Sequence, residues 1–197
     1  MTDNLIPFRL EWGADVSDDL LIAACARGDN TAIEELFQRH GERVHRILAR
    51  TGAVGPSDLD DVVQAAFIAV QRGARKFDRR SAVGTWIVGI ALNVARRHAR
   101  GEARRRSAMF ALAEAQPLHH RAGPEEQAAN RQLIARLFAG FEKLPRDLRT
   151  VFALCDLEGM RGVDVAQALG VPPGTIWRRL YDARSRLRAL MEADHRR

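Results

Sequence analysis

The sequence has little of what would place it in an oxidising compartment or in a membrane. It contains two cysteines, Cys25 and Cys155, which form no CxxC pair. Two cysteines are too few for a disulfide framework. No apolar run approaches the roughly 18 residues that span a bilayer, and the first residues lack the basic and apolar segments of a signal peptide. We therefore expect a cytoplasmic protein without membrane insertion.

Lysine is nearly absent from a chain that is nevertheless basic. The formal net charge is +6, yet Lys76 and Lys143 are the only lysines, so arginine supplies most of the positive charge. Arginine makes planar, bidentate contacts with phosphate and guanine and stacks on bases. A high arginine content also accompanies a GC-rich genome. The positions of the arginines are therefore more informative than their number.

Motifs for catalysis and for metal binding are missing as well. The sequence has no P-loop, no GxSxG and no HExxH. His119 and His120 have no partners at metal-ligand spacing, and both cysteines lie among apolar neighbours. We expect no metal site, no cofactor and no enzymatic activity.

Helical periodicity runs along most of the chain, whereas strand patterns are nearly absent. Ser17 is expected to cap the first helix. Thr31 with Glu34, and Ser57 with Asp60, have the spacing of capping boxes at two further helix starts. The sequence therefore predicts an all-α fold.

A segment with a weak pattern divides the chain into two parts. Between residues 107 and 124 the helical periodicity fades, and Ala, Glu, Gln, His, Gly and Pro dominate. We expect an N-terminal extension at 1–16, a helical domain at 17–106, a flexible linker at 107–124 and a second helical domain at 125–197.

The second domain ends in a helix-turn-helix pattern. A short helix, a turn containing Gly170 and an amphipathic helix follow one another, and the last helix has apolar residues at steps of four, three, four and three from Ile176 to Leu190. In this motif the second helix lies in the major groove with its first residues near base edges. A helical hairpin with a solvated basic face is the competing interpretation. The candidate contacts to duplex DNA are Thr175, Trp177, Arg178, Arg179 and Arg184.

The first domain ends in a cluster of like charges. Six arginines fall between residues 96 and 106, and Glu102 alone opposes them. Because like charges at such spacing repel, a polyanionic partner is the simplest reason for the cluster, although a solvated helix end is the plain alternative. Phe77, Trp86 and Asn93 come just before it, and aromatic rings beside a basic face suit single-stranded nucleic acid. The spacing of Trp86 to Ile90 is equally typical of a core position.

Three aspartates open a helix in the stretch DLDDVVQAAF, which begins at Asp58. Acidic residues in a first turn interact favourably with the helix dipole. That structural explanation is sufficient by itself.

Three segments, taken in order, resemble the extracytoplasmic-function sigma factors, a two-domain group within the primary sigma family of bacterial RNA polymerase. DLDDVVQAAFIAV is similar to the polymerase-binding helix of that family, and FDRRSAVGTWIVGIALNVARRHAR to its promoter-melting segment. LPRDLRTVFALCDLEGMRGVDVAQALGVPPGTIWRRLYDARSRLRALM is similar to its C-terminal helix-turn-helix domain. The resemblance covers roughly residues 17–192 apart from the linker.

The resemblance implies a transcription initiation factor with two DNA-reading domains. Residues 17–106 would form sigma domain 2, which binds core RNA polymerase and recognises and melts the −10 element. Residues 125–197 would form sigma domain 4, which reads the duplex −35 element. The polymerase would perform the chemistry, and a cognate anti-sigma protein would hold the factor inactive.

The resemblance also implies residues for each surface. Those for core polymerase are Asp58, Asp60, Asp61, Gln64 and Phe67. Those for single-stranded −10 DNA are Phe77, Asp78, Arg79, Arg80, Ser81, Trp86, Asn93, Arg96, Arg97 and Arg100. The −35 set is the group of helix-turn-helix residues given above.

Four features depart from the family pattern. Ala65-Ala66 replaces a polar pair, and Gly89 and Leu92 stand where basic residues are common. Pro172-Pro173 replaces a serine cap, although Pro173 suits a first helical turn. Trp177 stands where a small or basic side chain is usual, so the −35 sequence preference is open.

Two other functions compete with this interpretation. A conventional helix-turn-helix repressor or activator with a ligand-binding N-terminal domain would explain the C-terminal pattern but not the basic, aromatic-flanked helix. An enzyme of nucleic-acid metabolism would need a metal or nucleophile constellation, which the sequence lacks.

Overall fold

The computed structural model describes residue 12 and residues 15–109 and 139–194. The described residues form α-helices, short 3₁₀ turns and one π-helical turn, and no strand occurs among them. The all-α prediction is thus confirmed. The predicted extension at 1–16 and the predicted linker at 107–124 lie mostly outside the described residues.

Four helices build the N-terminal domain. They are α1 (Asp18–Ala26), α2 (Asn30–Thr51), α3 (Leu59–Gly73) and α4 (Val83–Met109). Each turns an apolar side inward, and the most deeply buried side chains include Leu21, Leu36, Ile47 and Ile87. Helix α4 continues past the expected boundary at residue 106, so the start of the predicted linker is helical up to Met109.

Two expected helix starts are wrong by a few residues. The N-cap of α2 is Asp29 rather than Thr31, because the Asp29 carboxylate accepts the backbone N–H groups of Thr31 and Ala32 at 2.8 and 3.3 Å. Helix α3 begins at Leu59 with Asp58 at its N-cap, since Pro56–Asp58 form a 3₁₀ turn first. Ser17 does occupy the N-cap of α1, but its side chain makes no cap hydrogen bond.

The described part of the C-terminal domain begins with a helical segment at 139–143. Three helices follow, namely α5 (Arg146–Phe152), α6 (Gly162–Leu169) and α7 (Pro173–Asp194). A π-helical turn over Ala153–Leu157 extends α5. Gly170 has φ +66°, the left-handed conformation that ends α6 and that glycine adopts without steric penalty. Helices α6 and α7 form the predicted helix-turn-helix.

The two domains pack against each other. Helix α6 lies against α4, and the segment after α5 lies against α2. One continuous buried cluster therefore contains residues of both domains, with Ile87 and Leu92 on one side and Val165 and Ile176 on the other. A second, smaller cluster around Leu144, Leu148 and Leu187 belongs to the C-terminal domain alone.

Candidate nucleic-acid interface

The apolar stripe of α7 orients the helix-turn-helix as the sequence predicts. Ile176, Leu180, Ala183 and Leu187 are all buried. Pro173 is the first helical residue, where its missing N–H is no loss. The faces of α7 that carry arginines consequently point away from the domain core.

The five candidate −35 residues differ in their availability. Arg178 is exposed, whereas Arg179 pairs with Asp147 at 3.3 Å between Nε and Oδ2. Arg184 is held by Asp156 through two hydrogen bonds of 2.9 and 2.6 Å. An arginine that is already paired must give up its carboxylate before it can bind DNA. Arg178 therefore has the least competition for a base or a phosphate.

Trp177 is 54% exposed, and its ring lies over the backbone of Gly162 at the start of α6. A Cβ atom on Gly162 would fall 2.7 Å from ring atom Cη2 of Trp177, which is closer than real Cβ contacts. Glycine at 162 thus makes room for the ring. Thr175, two residues before Trp177, is half-buried, and its backbone N–H donates to the Pro172 carbonyl at 2.9 Å.

The loop at 77–82 connects the 3₁₀ turn Ala74–Lys76 to α4, and Phe77 at its start packs at a tilt against Trp86 of α4. The rings of Phe77 and Trp86 lie 5.2 Å apart between centroids, and both side chains are half-buried. Asp78 accepts a backbone hydrogen bond from Arg80 at 3.2 Å and pairs with its guanidinium, and these contacts lower the pKa of Asp78. Arg79 has φ +57°, a left-handed conformation that is uncommon for non-glycine residues. Such strain is often found at functional sites.

One cleft collects half of the ten predicted −10 residues, whereas Phe77, Arg79 and the three arginines of α4 lie outside its lining. Its walls include Asp78, Arg80, Ser81, Trp86 and Asn93. Gln167 and Ala168 of α6 form the facing wall, which the sequence interpretation did not anticipate.

The arginines of α4 extend this surface along the helix. Arg97 and Arg100 are exposed, and Arg96 donates to the Asn93 side-chain oxygen at 3.1 Å. Burial lowers the pKa of Arg96, and the nearby charges of Arg100 and Arg179 lower it further. Guanidinium groups from both domains thus stand close together, an arrangement that a phosphate would relieve.

The acidic face of α3 is separate from the basic surfaces. Asp60 is 93% exposed, and Asp61 and Gln64 are exposed beside it. Asp58 is half-buried at the helix N-cap, 3.7 Å from His98 of α4. Phe67 differs from the others, because it is only 4% exposed and packs edge-to-face on Phe37 at 4.9 Å between centroids. In this conformation Phe67 shapes the domain from within.

A set of charged residues that sequence reasoning missed joins the two domains. Glu158 is 4% exposed and accepts from Arg46 at 3.0 and 3.2 Å and from Arg50 at 2.6 Å. Arg43 Nε lies 3.8 Å from Oε2 of Glu158. Burial opposes ionisation of Glu158, but the Arg46 hydrogen bonds and the charges of Arg50 and Arg43 prevail and lower its pKa. The three arginines share one face of α2 at helical spacing, which was the available signal.

Within the described part of the chain, no group of three or more His, Cys, Asp or Glu side chains could hold a metal ion. Burial, aided by Asp29, raises the pKa of the Cys25 thiol to about 11, and burial also raises that of Cys155. Both cysteines are free thiols.

No described helix is both long and apolar enough to cross a membrane. His119 and His120 lie outside the described residues.

Comparison with known proteins matches each domain separately. Sigma-70 region 2 matches residues 36–105, and Sigma-70 region 4 matches residues 135–187. The chain is 31% identical over 176 residues to the ECF RNA polymerase sigma-E factor of Haemophilus influenzae, covering 86% of this chain and 92% of that protein. It is 33% identical over 175 residues to the ECF RNA polymerase sigma factor SigM of Mycobacterium tuberculosis, covering 89% and 85%.

A solved structure agrees with these sequence matches. CnrH, in a complex with the cytosolic domain of CnrY, superposes with a TM-score of 0.64 and 28% identity, covering 91% of this chain and 99% of CnrH. The two matched regions have the order, the spacing and the helical architecture predicted from the motifs. This chain belongs to the extracytoplasmic-function sigma factors of bacterial RNA polymerase.

Proposed function

We propose that this promoter-specific initiation factor divides its work among three surfaces of the described structure. The acidic face of α3 binds core polymerase, the cleft beside loop 77–82 captures single-stranded −10 DNA, and the start of α7 reads the duplex −35 element. The observation that carries the proposal is the occurrence of both sigma regions, in order, on one chain.

For core polymerase we propose Asp60, Asp61 and Gln64 as the contacting residues. Their exposure on one side of α3 supports this choice. Asp58 would position the first turn of α3 from its N-cap, and Phe67 would brace the helix against α2 from inside the domain.

For the −10 element we propose a base-capture pocket bordered by the Phe77–Trp86 pair, Ser81 and Asn93. Bases that leave the duplex stack on aromatic rings while arginines meet the phosphates. Asp78 holds Arg80 in place, and Arg79 presents its side chain from a strained backbone. Arg96, Arg97 and Arg100 would follow the DNA backbone along α4. Capture of an unstacked base offsets the few kcal/mol lost on unstacking.

For the −35 element we propose Arg178 as the main base-reading side chain. Its exposure near the start of α7 supports this role. Trp177, seated on Gly162, is placed to contact a sugar or a thymine methyl group, and Thr175 lies at the same helix end. Arg179 and Arg184, already paired with aspartates, would serve phosphate contacts after exchange of partners.

We propose further that the factor acts in the cytoplasm, without catalysis of its own, and is regulated by a cognate anti-sigma protein. CnrH was solved in a complex with the cytosolic domain of CnrY, so a protein similar to this chain binds a second protein, which supports a protein partner here as well. Polymerase would supply the active site for RNA synthesis, while the factor supplies recognition and strand separation.

The test is run-off transcription by core polymerase on genomic fragments, with and without this chain, followed by mapping of the start sites. We expect transcripts that depend on the factor and start downstream of a shared pair of sequence elements. A conventional repressor or activator would neither bind core polymerase nor direct it to new start sites. Absence of binding to core polymerase would overturn the proposal.

A further inference from the structure

Helix α6 of the C-terminal domain lies directly on α4 at the proposed −10 surface. The contact centres on Gly89, where an added Cβ atom would lie 3.0 Å from the carbonyl oxygen of Ala168 and 3.2 Å from its Cα. Gln167 and Ala168 close the cleft whose opposite wall carries Trp86 and Asn93. Helix α6 therefore forms one wall of the cleft proposed for the −10 base and narrows the approach to it.

The contact accounts for two departures from the family pattern. Glycine is among the poorest helix formers, so its presence in the middle of α4 is unexpected. The close approach of the α6 backbone explains it, because a side chain at position 89 would clash with Ala168. Leu92, one turn later, is 2% exposed and lines the interdomain boundary with Leu169. An arginine at either position would not fit between the helices. Two positions that are commonly basic in the family are therefore used here for packing between domains.

A second interdomain contact, between Glu158 and arginines of α2, stabilises the same arrangement. Glu158 follows the π-helical turn, and its buried carboxylate is surrounded by Arg43, Arg46 and Arg50. Charge-assisted hydrogen bonds of this kind are stronger than neutral ones. Apolar packing on α4 and ion pairs on α2 thus both hold the C-terminal domain against the N-terminal one.

We propose that the free chain holds itself in a closed conformation that blocks initiation, with α6 seated over the −10 surface until core polymerase binds. The proposal rests on the −10 assignment made above. The acidic face of α3 stays exposed in the closed form, so the polymerase-binding surface is available while the DNA-capturing surface is covered. Binding to polymerase would favour the open form by engaging both domains at separate sites.

The closed form is tested by small-angle X-ray scattering on the full chain. One compact body of 197 residues has a radius of gyration of about 16 Å. We expect a compact wild type and a larger radius for Gly89→Leu, because leucine suits a helix but clashes with the Ala168 backbone. Glu158→Gln should also increase the radius of gyration, because it removes the charged partner of the arginines on α2. Gly55→Arg and Glu192→Gln, at exposed positions, are the matched controls and should stay compact.

The inhibitory effect is tested by the concentration of factor that gives half-maximal run-off transcription with core polymerase. Glu158→Gln lies away from the proposed DNA surfaces, so it should lower this concentration about threefold or more by raising the open fraction. Glu192→Gln should match wild type. Thermal unfolding of each variant confirms that the helices remain folded.

Four outcomes decide the matter. Compact wild type, expanded variants and a lower half-maximal concentration support the proposal. An extended free wild type overturns it, as would expansion of Glu158→Gln without any change in transcription. Absence of transcripts with every variant, wild type included, contradicts the proposed function itself, and the scattering data then still decide whether the chain is closed.

Discussion

At the scale of single residues, the proposed −35 contacts differ in whether each arginine is already paired with an aspartate. Arg178 is exposed, whereas Arg179 and Arg184 contact Asp147 and Asp156. A base-reading arginine contributes about 1–3 kcal/mol of discrimination, whereas a phosphate contact weakens binding to all sequences alike.

We predict that Arg178→Ala costs about 1–3 kcal/mol of −35 binding and relaxes the preference at one base pair. Arg179→Ala should weaken all sequences similarly and flatten the salt dependence. Binding of holoenzyme to a panel of −35 variants at several salt concentrations measures both effects. Arg188→Ala, exposed two turns or more further along α7, is the control. Identical behaviour of Arg178→Ala and wild type would remove the assignment of this helix face.

The sequence was sufficient to predict the burial of side chains whose position follows from helical periodicity. Ile176 and Leu180 of α7 are buried as the spacing predicts. It was not sufficient for Phe67, which shares a motif with exposed aspartates but packs inward on Phe37. Nor could it show that Arg184 is paired, because Asp156 lies 28 residues away and reaches it only through the π-helical turn. Partners distant in sequence are fixed by packing rather than by local pattern.

At the scale of elements, α3 has a buried apolar side and, opposite it, the exposed acidic side that we propose binds core polymerase. Its buried side packs against α2 and α4, while Asp60 and Asp61 occupy the first turn on the exposed side. The same aspartates stabilise the helix dipole, so a charge reversal has a structural effect that must be separated from loss of binding.

We predict that Asp61→Arg weakens assembly with core polymerase while the helical content stays unchanged. Loss of the favourable dipole interaction costs about 0.3–1 kcal/mol, which a folded domain tolerates. Asp19→Arg is the matched control, since Asp19 lies in the first turn of α1 and loses the same interaction on another surface. Competition binding to fluorescently labelled polymerase measures the difference. Equal affinity of the two variants would contradict the assignment.

Loop 77–82 offers a substitution that separates DNA capture from folding. Arg79 has a positive φ, so Arg79→Gly keeps the backbone conformation at less strain while it removes the guanidinium. We predict normal folding and normal binding to polymerase, but slower strand opening on duplex promoters. Permanganate footprinting of unpaired thymines measures the opening.

A promoter already mismatched across the −10 region provides the control for Arg79→Gly. Because opening no longer has to be driven by base capture there, the variant should recover most of its activity on this template. Full opening on duplex DNA by the variant would exclude a role of Arg79 in melting.

Most helices were predictable from periodicity, but the first residues of α2 and α3 were not. The spacing of Thr31 to Glu34 suggested a cap that Asp29 provides instead, because its carboxylate reaches two backbone N–H groups. The π-helical turn at Ala153–Leu157 gave no signal in the sequence, since it differs from an α-helix by the placement of a single inserted residue.

At the scale of the whole molecule, the domain boundary is held by a carboxylate whose charge depends on pH. Glu158 has a lowered pKa, so its ionised form stabilises the docked arrangement at every pH above its ordinary pKa of about 4.3. That contribution decreases as pH falls from there towards the lowered value, where the docked carboxylate takes up a proton.

We predict that acidification below about pH 4.3 weakens domain docking in wild type but much less in Glu158→Gln, which has no charge to lose. The ion pairs should make only a modest contribution, since solvent reaches Arg43, Arg46 and Arg50 and screens their charges. Scattering profiles over a pH series, compared between the two proteins, measure the effect. Parallel pH profiles would show that other groups control docking.

The arrangement of the two domains was beyond prediction from local patterns. Gly89 and Leu92 were noticed only as missing basic residues, because the partner that explains them, α6, lies in the other domain. The helical spacing of the arginines on α2 can be seen in the sequence, but their carboxylate partner cannot. Glu158 is distant in the chain and contacts them only in the folded structure.

The seat of α6 over α4 bears on competition for the factor inside a cell. An uncovered aromatic and basic cleft binds single strands with little regard to sequence, at about 1–3 kcal/mol for each stacked base. Nascent RNA and replicating DNA would then sequester a chain of net charge +6 away from its enzyme. A chain that exposes this cleft only when bound to polymerase does not bind these competing nucleic acids. Its free concentration then depends on its synthesis and not on the amount of single-stranded nucleic acid in the cell.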